Sequence, residues 1–100
     1  MKPVYEVVVM RRHPGASVAD VIELCRALHA WVAEQPGFLR RQLLHDVGQE
    51  LFVDLIAWRS EEDAKQAMAA STTAPCMEKM PRVLDMESMT MAHAVEVALT

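Results

Sequence analysis

Apolar and polar residues follow two different periods along this chain, and the places where one gives way to the other mark its elements. Residues 4–11, VYEVVVMR, are β-branched and nearly continuous in hydrophobicity, the pattern of a strand covered on both faces. HPGAS breaks that strand. Ser17 and Asp20 then form a capping pair, because a hydroxyl and a carboxylate three residues on can satisfy two free N–H groups of a first helical turn. The helix is predicted to run to about residue 35, where Pro36 and Gly37 end it. Within it Val18, Val21, Ile22, Cys25, Leu28 and Val32 recur at helical spacing and make the face predicted to lie on a sheet.

From Phe38 to Trp58 the chain reads as two strands around a tight turn. With Val47 and Gly48 as the central turn residues, Asp46 faces Gln49, His45 faces Glu50 and Arg41 faces Asp54. One face then carries Leu39, Arg41, Leu43, His45, Glu50, Phe52, Asp54, Ile56 and Trp58. The other carries Phe38, Arg40, Gln42, Leu44, Leu51, Val53, Leu55 and Ala57, since side chains alternate along a strand. The third strand is thus apolar on both sides. Ser60 and Asp63 cap a second helix over 61–70, STTAP interrupts it, residues 75–84 make a further short helical turn, and 85–97 form the last strand.

Strand, helix, strand, strand, helix, strand, with no internal sequence repeat, predicts an α+β, ferredoxin-like βαββαβ fold with an antiparallel four-stranded sheet. Two helices cover only one face of such a sheet. The other face must meet a second sheet, most simply that of an identical chain in a two-fold homodimer.

Length and composition narrow the function. A chain of 100 residues, 52% apolar and 24% charged, is globular and is read as one domain over 1–100. A net charge of −4, with only the short clusters Arg11–Arg12 and Arg40–Arg41, argues against nucleic acid as a partner. No run approaches the roughly 20 apolar residues of a membrane span, and MKPVYEVVV lacks the features of a signal peptide, so no membrane partner and a cytoplasmic location are expected. Cys25 and Cys76 stand singly, without a CxxC pair, which speaks against a disulfide framework or a metal site; both are read as reduced, with Cys25 buried.

Several residues are candidates for chemistry. His29, on the edge of the apolar stripe of the first helix, is a candidate pocket base, although a helix-edge histidine more often completes a hydrogen-bond network or is solvated. His13 is a weaker candidate of the same kind, and His45 beside Glu50 reads as a surface cross-strand pair. Trp58 is either a core plug, the commoner role, or a pocket wall, and Trp31 is expected at the edge of the first helix. Arg41 and Asp54 read first as a pair that fixes sheet register or dimer geometry; if their face lines a pocket, Arg41 is an anchor for an anion. Met77, Met80, Met86, Met89 and Met91 crowd the last quarter of the chain; thioethers suit Cu(I), but flexible filling of a pocket or interface is the stronger reading.

Together with this order of elements, PGFLRRQLLHD before the turn and LFVDLIAWRSEEDAKQA after it resemble the dimeric α+β barrel proteins, and among them the antibiotic-biosynthesis-monooxygenase-like group. The resemblance implies a homodimer whose sheets form a barrel, with a ligand pocket between each sheet and its own helices. The haem-degrading branch of that group carries a Trp in the helix after the WxSEED-like segment, a ligating His downstream and an Asn on the first strand. Here Ala67 stands near the Trp position, Cys76 or Met77 near the His, and the first strand has no Asn, so haem degradation is set aside. What the resemblance leaves is a small-molecule-binding protein, a candidate monooxygenase that needs no cofactor and acts on a small apolar, aromatic or quinol-like ligand. His29, Phe52, Trp58, Met77 and Met80 would line its site. The alternative is a non-catalytic binding or assembly domain similar to stress-responsive α+β barrel proteins.

Overall fold

A computed structural model of the chain describes residues 2–100. Its elements run β1 (Val4–Arg12), α1 (Val18–Val32), β2 (Phe38–Asp46), β3 (Leu51–Trp58), α2 (Glu61–Ser71), a 3-10 turn (Pro75–Lys79), α3 (Met80–Val83) and β4 (Leu84–Val95). The strands form one sheet in the order β2-β3-β1-β4, and each neighbouring pair is antiparallel. This is the βαββαβ ferredoxin-like arrangement the patterning predicts.

Local chemistry sets the boundaries. The Ser17 hydroxyl accepts a hydrogen bond from the Asp20 N–H at 3.1 Å, and the Asp20 carboxylate accepts one from the Ser17 N–H at 2.8 Å, closing the capping box of α1. The buried face of α1 is Val21, Leu24, Cys25 and Val32, whereas Val18 and Ile22 each stay 38% exposed. The stripe is therefore rotated from the expected one, with Leu24 brought in. Gly37 adopts a left-handed φ of 84°, and a Cβ there would collide with the Asp63 side chain. Its carbonyl accepts the Arg59 N–H at 2.8 Å, which ties the loop after α1 to the start of α2.

The hairpin departs from its expected register by two residues. Its loop is Val47 to Glu50: the Asp46 carboxylate accepts from the Gln49 N–H at 3.1 Å and from its side-chain amide at 2.9 Å, and Glu50 takes a positive φ of 55°. As a result His45 opposes Phe52, Leu43 opposes Asp54 and Arg41 opposes Ile56. His45 accordingly stacks on Phe52, with centroids 4.3 Å apart, in place of the expected pairing with Glu50. Because the slip is by two, almost every side chain keeps its expected face. Leu39 and Phe38 are the exception: a register shift between Phe38 and Arg40 turns Leu39 to solvent and brings Phe38 against Trp58, edge to face at 6.0 Å.

The helices cover the face bearing Val4, Glu6, Val8 and Met10 of β1 and Phe52, Asp54, Ile56 and Trp58 of β3. Along β3 every residue of that face is buried, while Leu51, Val53 and Leu55 on the opposite face are only half-buried. The core divides into one cluster around Val8, Met10, Val21, Leu24, Phe52 and Leu84 and another around Val32, Ile56, Trp58, Ala64 and Ala67. No helix among the described residues is long and apolar enough to cross a membrane.

Candidate functional site

Residues of both clusters help to wall a cavity of about 240 Å³ between the helices and the sheet. All seven methionines among the described residues reach it: Met10 from β1, Met68 from α2, Met77 and Met80 from the helical segment after α2, and Met86, Met89 and Met91 from β4. Two of these, Met86 and Met89, lie where β4 slips its register against β1 between Val9 and Arg11. Trp31, Val32, Ile56, Trp58 and Ala67 add to the apolar wall, with Val8, Leu28 and Leu84. Unbranched thioethers beside tryptophan side chains make a lining that can reshape around a flat apolar guest.

The charged part of the wall is confined to the sheet, and Ser71 of α2 adds one hydroxyl. Arg41 and Asp54 form a two-pronged ion pair, Nε to Oδ1 at 2.9 Å and Nη2 to Oδ2 at 2.6 Å, with side chains only 5% and 8% exposed. Arg41 also donates from Nη1 to the carbonyl of Cys25 at 3.3 Å, which pins the sheet to α1. Burial works against the guanidinium charge, and the hydrogen bonds and charge contact with Asp54 more than reverse it, so the Arg41 pKa is raised. Burial pushes the Cys25 thiol up to about 11, with Arg41 pulling the other way, and leaves a poor nucleophile.

Glu6 is the second polar feature. It projects from the middle of β1 onto the cavity wall, and its Oε1 accepts the indole N–H of Trp58 at 3.2 Å. Across the β1–β4 pair His93 stands directly opposite, with Nε2 at 3.6 Å from the same Oε1. That nitrogen is buried and has no hydrogen-bond partner. Burial raises the Glu6 pKa; the His93 charge and the Trp58 hydrogen bond act in the opposite sense, and Asp54 adds to the rise.

Of the residues the sequence suggested, Trp58, Met77 and Met80 lie on the cavity wall. Phe52 is almost wholly buried in the cluster with Met10 and Leu84, off the wall and beneath His45. His29 is on the exposed side of α1, edge-on to Phe38 at 5.8 Å, in a separate shallow groove with Ile22, Arg26 and Leu43. One helical position separates it from Leu28, which does reach the cavity. His13 is exposed, its Nδ1 accepting the Gly15 N–H. Sequence reasoning passed over Glu6. The available signal was a lone carboxylate amid β-branched residues on the same strand face as Val4, Val8 and Met10, paired with a lone imidazole among the small residues of β4. Among the described residues no three His, Cys, Asp or Glu side chains converge to hold a metal ion.

A four-stranded antiparallel sheet carrying helices on one face, with a methionine-rich cavity between them, defines a ferredoxin-like α+β protein built around an internal ligand-sized space. The chain belongs to the antibiotic biosynthesis monooxygenase family, whose model matches residues 3–79. Among solved structures it resembles SnoaB, a cofactor-independent oxygenase from Streptomyces nogalater, at 21% identity and a TM-score of 0.75 over 100% of this chain and 96% of that one. It also resembles a conserved protein from Methanosarcina mazei Go1, at 15% identity and a TM-score of 0.79 over 97% and 95% of the two chains. Rv0793 from Mycobacterium tuberculosis matches at 16% identity and a TM-score of 0.69 over 98% and 96%. At these identities the likeness is one of fold. No functionally curated protein matches the chain in sequence.

Proposed function

We propose that this protein binds a small aromatic or quinol-like molecule between its helices and sheet and oxygenates it without a cofactor. The observation that carries the reading is the cavity itself: a space of about 240 Å³, walled by methionine and tryptophan, with its charged groups gathered on the sheet side. Trp58, Met77 and Met80 would touch the rings of the ligand, and the sheet side would receive its ionisable hydroxyl. Membership of the monooxygenase family and the fold shared with SnoaB support the assignment.

The chemistry asks little of the protein. Once a phenol ionises, its electrons are available to oxygen, and conversion of an activated ring CH2 with O2 into C=O and water balances with the substrate as the sole reductant. One oxygen atom enters the product and the other leaves as water. The protein has to orient the ligand, favour its anion and exclude bulk water. A homodimer fits this reading: Val7, Val9, Val53 and Leu55, on the face away from the helices, are left only partly covered by a single chain, and the sheet of a second copy would cover them.

One observation favours the non-catalytic alternative, a binding or assembly domain similar to stress-responsive barrel proteins. The two histidines first suggested as bases, His29 and His13, are both in solvent. Oxygen uptake decides between the two. Quinols and polycyclic phenols that quench tryptophan fluorescence on binding should be consumed with one O2 per product molecule and one oxygen atom incorporated; ligands that bind without oxygen uptake above their autoxidation rate would favour the binding domain.

A further inference from the structure

We infer that Glu6 is the group that takes the proton from a hydroxylated ligand in this cavity, and that His93 and Trp58 hold it poised to do so. The inference rests on the ligand-binding reading above and adds the identity of the base.

The geometry separates the two oxygens of one carboxylate. Oε1 is occupied: the Trp58 indole donates to it at 3.2 Å and His93 Nε2 faces it at 3.6 Å. Oε2 accepts no hydrogen bond from any described residue, although Glu6 forms part of the cavity wall. The one basic oxygen left over is therefore the one available to a guest. A carboxylate held by the indole N–H on one oxygen and open on the other is a positioned general base.

The surroundings tune it. From β3, Asp54 repels a charge on Glu6, but Asp54 is itself neutralised by Arg41 of β2. From β4, His93 is the cationic partner when protonated; Glu61 at the start of α2, paired with Lys65 at 2.9 Å, is the further carboxylate that acts on His93. Burial raises the Glu6 pKa and strengthens it as a base, while His93 and the indole act in the opposite sense and favour the carboxylate. In the step itself the phenol O–H bond breaks, an O–H bond forms at Oε2, and the electron pair stays on the phenolate oxygen. No further reactant is needed. His93 does not touch the reacting atoms and is a positioning residue. Its buried nitrogen makes no hydrogen bond and lies 3.6 Å from Oε1, from where its charge acts on Glu6.

The test has a ligand-free arm and a ligand-bound arm, both run without oxygen. In the first, the side-chain carboxyl carbons of glutamate are labelled and Glu6 is followed by NMR against pH, in the wild type and in His93→Gln. The expected result is a Glu6 midpoint that moves upward in His93→Gln, because the variant removes the charge that lowers it. An unchanged midpoint would overturn the role of His93. In the second, 4-nitrophenol is bound and its phenolate absorbance is read: the wild type should ionise the probe in the cavity, and Glu6→Gln, which keeps an acceptor for Trp58, should bind it protonated. Equal phenolate fractions in both proteins would overturn the role of Glu6. If the probe ionises as expected but no quinol or phenol is oxygenated, the base stands and the oxygenase reading falls.

Discussion

Arg41 and Asp54 show how one pair of residues can serve fold and site at once. Their side chains are almost completely buried, and the pair joins β2, β3 and the carbonyl of Cys25 on α1. Taking two charges out of water is costly, so the pair is no simple gain in stability, but removing one partner strands the other. Asp54→Asn should therefore destabilise the fold by about 3–5 kcal/mol in urea unfolding. Glu6 makes a second prediction at this scale. Its pKa is raised in the folded chain, chiefly by burial, so over the interval between the unfolded and folded values the folded state holds more protons. The stability it contributes is fully present below the ordinary glutamate range and is lost as the pH rises through the folded midpoint. Unfolding free energies measured from mildly acidic to neutral pH should fall in the wild type more steeply than in Glu6→Gln, where the group no longer titrates.

At the scale of elements, the junction between the first helix and the second strand carries most of the constraint. Gly37 is left-handed and lies so close to Asp63 that no Cβ fits. Gly37→Ala should cost more than the about 1–2 kcal/mol of a left-handed L-residue alone, and thermal unfolding would read the loss. This junction was legible as the Pro36–Gly37 stop, and the two helix starts were legible as Ser17 with Asp20 and Ser60 with Asp63, because capping is local chemistry. The hairpin loop was not. A two-residue and a four-residue turn share the same dipeptide, and the choice lies in the Asp46 carboxylate reaching Gln49 and in the left-handed Glu50. The bulge at Leu39 was equally hidden, since Phe38 and Leu39 are both apolar and only packing against Trp58 decides which turns inward. The site was legible in part. Trp58, Met77 and Met80 stand out by residue type, but a cavity is a property of three-dimensional packing, and Glu6 gains meaning only when β4 brings His93 opposite.

For the whole molecule, the two faces of the sheet divide the work. The helix-facing side holds the cavity and its charges; on the other side Val7, Val9, Val53 and Leu55 form a half-covered apolar strip beside Arg40 and Gln42. If a second copy covers that surface, sedimentation of the wild type should give a dimer, and Val53→Lys, which sets a charge at its centre, should shift the chain toward monomer. A wild type that sediments as a monomer at high concentration would contradict the dimer. The central claim is that the cavity is where a ligand reacts with oxygen. The most direct measurement is oxygen consumption by the purified protein, free of metal and cofactor, with a bound quinol or polycyclic phenol, in the wild type and in Ala67→Phe. Ala67 is buried on the cavity wall, and a phenyl ring there occupies the space the ligand needs. The account predicts one O2 consumed per oxygenated product molecule formed by the wild type and uptake reduced to the autoxidation rate in a folded Ala67→Phe; equal uptake by the two proteins, or none by a wild type with ligand bound, would contradict it.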